Sequence, residues 1–402
     1  MSLGTAVVFG AGNVGRGLLG QVFCQAGLEV VFVDVDDALV AALARDRRYL
    51  HITVDSDSRV ERVIGPVTAV PATDAVAVAE ALAAARVAAT CVGARAIPAV
   101  CRLIAPALLA RIEAGAAPLN LLIAENLHDG PATVARWLTE AEPALAGQLE
   151  AGRAGLIATS IGRMIPAPRP GLSAAGPAAI EVEPYCHLPI DADALRGDFP
   201  SIPAVIADDG VAFDFYSDRK LFVHNMGHAM SAYLGGLCGD SEIAPAIARA
   251  DLRALVRGAM IESACALAER YHRPIGPLLD HVDDLLHRFG NRALGDTVER
   301  VGADPRRKLA AGDRLLGAHR LCLAQGVDPR HLRVGLAAGL NQLAAEESLD
   351  ADAVGSFLAS QGLSDPTERA LLDEYCSALA AGFDGYRVAA LLNRRFQQAR
   401  IP

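Results

Sequence analysis

Between residues 217 and 228 the chain reads Ser-Asp-Arg-Lys-Leu-Phe-Val-His-Asn-Met-Gly-His, placing Lys220, Asn225 and His228 within nine residues. A lysine whose amine is held neutral can take a proton from a hydroxyl. An asparagine amide can donate to the alkoxide that forms, and a histidine can orient the hydroxyl or hold the lysine. Asp218 is the expected N-cap of a helix. That cap would put Lys220 in the first turn, where the helix dipole disfavours an ammonium, and burial would depress its pKa further. At about 100° per residue, Lys220, His228 and Asn225 fall at about 0°, 80° and 140°, so the three can line one wall of a cavity. A surface lysine beside two buried polar residues is the bland alternative.

A second group points to the other half of a redox reaction. The apolar run Thr5 to Phe9 is followed by Gly10-Ala11-Gly12-Asn13-Val14-Gly15 and then by a helical pattern. The next β-branched run ends in Asp34, nineteen residues after Gly15. A GxGxxG turn between strand and helix, with an acid at the end of the following strand, is the pattern of a dinucleotide site. Gly10 permits the turn, Gly12 lets a pyrophosphate approach the backbone, and Gly15 lets helix and strand pack. Free N–H groups at the helix start would meet the phosphates. Gly10, Gly12, Asn13, Val14, Gly15 and Asp34 are the candidate cofactor contacts, with Arg16 and Asp36 as flanking candidates. Asp34 can accept from ribose hydroxyls and would repel a 2′-phosphate, so NAD is expected rather than NADP.

These groups need elements to hold them. Strand candidates (5–9, 29–35, 88–92, 119–123) alternate with helical stretches over residues 1 to about 130, which implies a parallel sheet with right-handed crossovers. Residues 155–210 mix Pro, Gly and short β-like runs such as 180–186. Beyond Asp218 the pattern is helical, with candidates at 219–234, 244–271, 277–288 and 304–316. The expected fold class is α/β: a Rossmann-type doubly wound sheet with a β-rich extension over 1–200, then a mostly α-helical substrate and catalytic domain over 201–402. At 402 residues, 52% hydrophobic and 21% charged, the chain has ample core and is not disordered. A net charge of −10 makes nucleic acid an unexpected partner. Eight cysteines without CxxC spacing imply reduced thiols and no zinc site. No basic and apolar leader opens the chain and no clean apolar span of membrane length occurs, so a cytoplasmic protein is expected. His51, His128, His187 and Trp137 read as structural.

With these residues in view, the chain resembles the mannitol dehydrogenase family, the polyol-specific long-chain dehydrogenases. The resemblance rests on Phe9-GAGNVGRG-Leu18, Ala124-Glu-Asn-Leu127, Arg219-KLFVHNMGHAMSAYLG-Gly236, Gly258-AMIES-Ala264 and Val298-ERVGADPRRKLAAGDRL-Leu316, and runs to about residue 340. It implies an NAD-dependent, metal-free oxidoreductase acting on CH–OH, with Lys220 as general acid/base. Asn225 and Asn126 would polarise the reacting oxygen, His228 would position substrate, and Arg300 and Lys308 would line the polyol pocket. In one respect the chain departs from the family, where an Asp-Arg-Ile/Val-x-Pro element places an Asp near the substrate. Here the element reads Gly162-Arg163-Met164-Ile165-Pro166.

Asp304-Pro305-Arg306-Arg307-Lys308 reads as a helix start, with Asp as N-cap and Pro at N1. Three cations there oppose the macrodipole unless an anion docks among them. This makes Arg306 and Arg307 candidate phosphate contacts, the alternative being that they pair with surface acids. Such a site favours a sugar phosphate over a free polyol, and with the resemblance it implies a reaction that interconverts mannitol 1-phosphate and fructose 6-phosphate. The alternatives are a free-mannitol 2-dehydrogenase, a hexuronate (fructuronate or tagaturonate) reductase, a 6-phosphogluconate-dehydrogenase-like decarboxylase, or a silent NAD-binding module. The expected partners are a small polyol phosphate or ketose phosphate, with neither nucleic acid nor membrane, in a monomer or small homo-oligomer.

Overall fold

The computed structural model describes residues 3–127, 129–166, 172–208 and 210–398, so His128 lies outside the described residues. Its contacts divide the chain into two units, Met1–Phe213 and Asp214–Pro402. The division falls later than the boundary at 200 expected from composition.

In the first unit, short apolar runs form strands buried on both faces, as parallel sheets require. Those of the parallel sheet are β1 (Thr5–Phe9), β2 (Glu29–Asp34), β5 (Val67–Pro71), β6 (Ala85–Thr90), β7 (Leu119–Ile123) and β8 (Ala154–Ala158), and between β2 and β5 the chain forms an antiparallel hairpin, β3 (Tyr49–Asp55) and β4 (Ser58–Ile64). Six of them pair in parallel in the order β5-β2-β1-β6-β7-β8. The period-two alternation of a strand divides β1 between two cores. Ala6 and Val8 pack with Leu18, Leu19, Val22 and Phe23 on one face, while Val7 and Phe9 pack with Cys101, Ile104, Leu108 and Leu138 on the other. The strand order reverses between β1 and β6, the place where such sheets open a crevice at their carboxyl ends.

The hairpin is an addition that the alternation of strands and helices did not reveal. Most of β4 is exposed, and its charged residues disguise it as a loop. The short β9 (Ile180–Val182) joins β3 in parallel, giving a three-stranded sheet β4-β3-β9.

The second unit is helical apart from the bridge Glu242–Thr297. The helix Asp214–Arg219 runs into a π-helical turn, Lys220–Asn225, and on into Met226–Leu237. The stretch expected as one helix over 244–271 is two, Ile243–Ala248 and Ala250–Arg270, parted where Arg249 takes an extended conformation (φ −69°, ψ 123°). The helix expected over 304–316 is only one turn, Pro305–Lys308, capped by Asp304 as expected. Past it, Gly312 and a turn bond from Asp313 N–H to the Ala310 carbonyl interrupt the helix until Leu316–Ala324. Helices Gly276–Phe289, Val298–Gly302, Arg330–Glu347, Ala351–Ser360, Pro366–Leu379 and Gly385–Gln398 complete the unit. Val256, Met260, Met230 and Leu336 are fully buried among them.

Candidate active site

In the first unit the glycine turn leaves β1 where the strand order reverses. Gly10 sits at φ +103°, and a Cβ there would lie 2.8 Å from the Cys91 carbonyl oxygen. A Cβ on Gly15 would run into the Gly10 carbonyl oxygen. Both glycines are therefore demanded by the fold itself. Gly12 is different: a Cβ there would meet nothing within 4 Å. The open space over Gly12 is what a pyrophosphate approaching the backbone requires, so the residues present fit a dinucleotide. Gly12 and Asn13 are exposed and Val14 is half-buried. Asp34 holds the turn directly, with Oδ2 accepting from Ala11 N–H (2.6 Å) and Oδ1 from Val35 and Asp36 N–H (2.7 and 3.0 Å). Three of the four carboxylate lone pairs are thus taken, and the one left, on Oδ2, can accept from a ribose hydroxyl.

The helix after this turn opens with a π-helical stretch, Gly15–Leu19, in which Gly20 N–H reaches the Gly15 carbonyl. The widened turn leaves carbonyls for partners outside the helix. Tyr49 hydroxyl donates to Arg16 O (2.6 Å), and the buried Arg163 donates to Gly17 O and Gln21 Oε1 (2.6 Å each). Arg16 is a clamp as well, its guanidinium donating to the carbonyls of Ala11 and Ala179. In place of the family's aspartate, Gly162 packs against Tyr185, whose ring a Cβ would approach to 3.1 Å. Asp36 caps the helix Asp37–Asp46. Asn126 is exposed just beyond the carboxyl end of β7. Beside it, Glu125 accepts from the N–H groups of Val92 and Gly93 (2.8 Å each) and ties the ends of β6 and β7 together. Burial raises its carboxyl pKa, against those two bonds.

In the second unit the cap expected at Asp218 is absent, because the helix already starts at Asp214. Asp218 instead accepts from the Tyr271 hydroxyl (2.7 Å). Lys220 is thus well inside helical structure, and the dipole does not act on it. Its pKa is nevertheless lowered to about 8, by burial and then by the nearby Arg314. The half-buried amine has no hydrogen-bond or ion-pair partner among the described residues, nor does the half-buried amide of Asn225. The π-turn corrects the helical wheel. In a π-helix the bond joins i to i+5, as Met226 N–H does to Leu221 O, so Lys220 and Asn225 stand one turn apart on one face.

His228 lies on the following helix with its ring stacked on Phe289, centroids 5.0 Å apart and planes 10° from parallel. Its buried Nε2 is 2.7 Å from Asp296 Oδ2, at an angle outside ordinary hydrogen-bond geometry. Asp296 also pairs with Arg300. Burial pushes the Asp296 carboxyl up, but these two neighbours outweigh it and hold the pKa below the usual range. His224 and His281 are driven well below the ordinary histidine value, by burial first and then by Arg288 and Arg219 respectively. Asp296, Phe289, His281 and Arg314 escaped sequence reading, since only packing brings them to the lysine segment.

The cations after Thr297 are already engaged. Lys308 is buried and donates to the Val301 (2.7 Å) and Ala303 carbonyls, closing the helix Val298–Gly302 from its C-terminal end. Burial, then Arg314, lowers its pKa to about 8. Arg306 forms a two-pronged pair with Glu347, and Arg307 pairs with Asp304 and Asp313. The surface pairing left open by the sequence is the arrangement found.

Two family models match this chain: the mannitol dehydrogenase Rossmann domain over residues 4–203 and the mannitol dehydrogenase C-terminal domain over 212–353. Among solved structures, a D-sorbitol dehydrogenase in substrate-free form is similar at TM-score 0.72 and 19% identity, over 97% of this chain and 91% of that one. The Pseudomonas fluorescens mannitol 2-dehydrogenase ternary complex with NAD and D-mannitol is similar at TM-score 0.67 and 18% identity, over 99% of this chain and 92% of that one. The chain belongs to the mannitol dehydrogenase family, a class of oxidoreductases that joins a Rossmann half to a helical half.

Proposed function

We propose that the protein catalyses reversible hydride transfer between a carbinol carbon of a polyol and NAD, with Lys220 as the general acid/base. The observation that carries this reading is a half-buried, unpartnered lysine amine with a pKa of about 8, one π-turn from an unpartnered asparagine amide. NAD is the cofactor, and when bound it supplies the hydride acceptor. In the oxidising direction the neutral Lys220 amine takes the hydroxyl proton as the carbonyl forms. Asn225 donates to the oxygen as its charge grows, the role that the resemblance also gives Asn126. His228 and Arg300 hold the remaining hydroxyls. In reduction, the Lys220 ammonium returns the proton to the alkoxide.

The substrate pair we propose is mannitol 1-phosphate and fructose 6-phosphate, because the wording of the matching segments is similar to that of mannitol-1-phosphate 5-dehydrogenases. A second reading has a specific observation behind it. Arg306, Arg307 and Lys308 are already paired, which removes the cation cluster as a ready phosphate anchor and favours an unphosphorylated polyol or a hexuronate. NADH oxidation with fructose 6-phosphate, fructose, fructuronate and tagaturonate decides between them. Turnover of fructose 6-phosphate alone establishes the first reading, and turnover of unphosphorylated ketoses alone replaces it. Failure of every ketose, free or phosphorylated, would overturn the polyol reaction. NADPH in parallel tests Asp34.

A further inference from the structure

We infer that Asp296 is a positioning residue that fixes the proton of His228 on Nε2 and leaves Nδ1 as a hydrogen-bond acceptor for a substrate hydroxyl. This rests on the polyol reading and adds to it which partner His228 selects. Asp296 is held from both sides. Its carbonyl accepts from Ile243 N–H (2.9 Å), the next residue forms the bridge to Glu242, and Val298 N–H donates to Ser241 O (2.9 Å). Its side chain is 9% exposed. Oδ2 lies 2.7 Å from His228 Nε2 and Oδ1 takes the Arg300 guanidinium.

Two lone pairs would repel at 2.7 Å, so Nε2 carries the proton and turns its N–H dipole toward the carboxylate, off the straight line of an ordinary hydrogen bond. The stack on Phe289 holds the plane of the ring, in which Nε2 is the nitrogen beside the carboxylate. A neutral imidazole that donates through one nitrogen accepts through the other. His228 then favours a ligand that brings a hydroxyl proton, as the free carbinol carbons of a polyol chain do, and rejects one that offers only an ether or carbonyl oxygen. The same carboxylate holds Arg300, whose side chain stays 65% exposed, so one residue orders both side chains that meet the substrate hydroxyls.

The test is long-range ¹H–¹⁵N NMR of the full-length protein with labelled histidine, the His228 signal being assigned by its loss in His228→Gln. Neutral His228 is expected as the Nε2–H tautomer in the wild type and as a mixture in Asp296→Ala. That variant should raise the ketose KM about tenfold, the scale of one lost hydrogen bond to the substrate, with the NADH Kd within about twofold. The double variant with His228→Ala should be no worse than His228→Ala alone, since the two act as a unit. A wild-type proton on Nδ1, or effects of the two substitutions that multiply, overturns the inference. The wild-type tautomer requires neither a variant nor a substrate. It therefore judges Asp296 even if Asp296→Ala fails to fold, and separately from whether any polyol is turned over.

Discussion

The π-turn Gly15–Leu19 and the π-turn Lys220–Asn225 stand at the two candidate sites, and they work in opposite ways. The first is a site of main-chain groups. Its glycines clear the way, Asp34 braces the loop, and what it offers a ligand is N–H groups and empty space over Gly12. The second is a site of side chains. Its amine and amide have no partner among the described residues, and its histidine is held by an aromatic ring and a carboxylate more than sixty residues away in sequence. A main-chain site is most sensitive where a Cβ would intrude or where a side chain braces the backbone. Side-chain sites fail when a single functional group is lost, although the fold survives.

The sharpest break in that contrast comes from Lys220. Lys220→Ala should lower kcat by about 10²–10⁴-fold, the span of general acid/base catalysis, with the NADH Kd and the melting temperature little changed. Stopped-flow turnover and NADH titration check this, and unchanged turnover would refute the assigned role. The wild type should show the matching pH dependence. Oxidation requires the neutral amine, so its rate should rise through about pH 8, and reduction requires the ammonium, so its rate should fall over the same window.

A smaller effect separates the glycines. Gly15→Ala should cost about 1–3 kcal/mol by overpacking and lose NADH binding with it, whereas Gly12→Ala should stay within about 0.5 kcal/mol in stability and still weaken NADH about tenfold or more. Calorimetry and fluorescence titration of both variants check the pair. Equal stability losses would mean that Gly12, too, serves the fold. The smallest effect is expected from Arg306→Ala, which removes an exposed ion pair and should leave the fructose 6-phosphate KM within about twofold. A large rise in that KM would turn the 304–308 segment back into part of the site.

Legibility followed the same division. The runs 5–9, 29–35 and 119–123 became the strands Thr5–Phe9, Glu29–Asp34 and Leu119–Ile123, because continuous apolar stretches leave few alternatives. The glycine turn and Asp34 were readable for a similar reason: the whole device spans one strand, one turn and the next strand. Lys220, Asn225 and His228 were readable as a set, but their mutual geometry was not, since a wheel of 100° per residue cannot foresee a π-turn. The cap at Asp218 misled because a good capping residue sat inside a helix that began four residues earlier. Asp296 and Phe289 were invisible, as neither neighbours the lysine segment in sequence. The hairpin β3–β4 was missed because an exposed strand of arginines, glutamate and valines resembles a solvated loop.

One detail of the nucleotide turn reaches beyond its own motif. The two carbonyls that take outside partners at the widened start of that helix are Arg16 O and Gly17 O, served by a phenol 33 positions and a guanidinium 146 positions downstream. Tyr49 and Arg163 are thus silent members of a fingerprint usually read as three glycines. A relative could keep every glycine and still lose the shape of the pocket by changing either one.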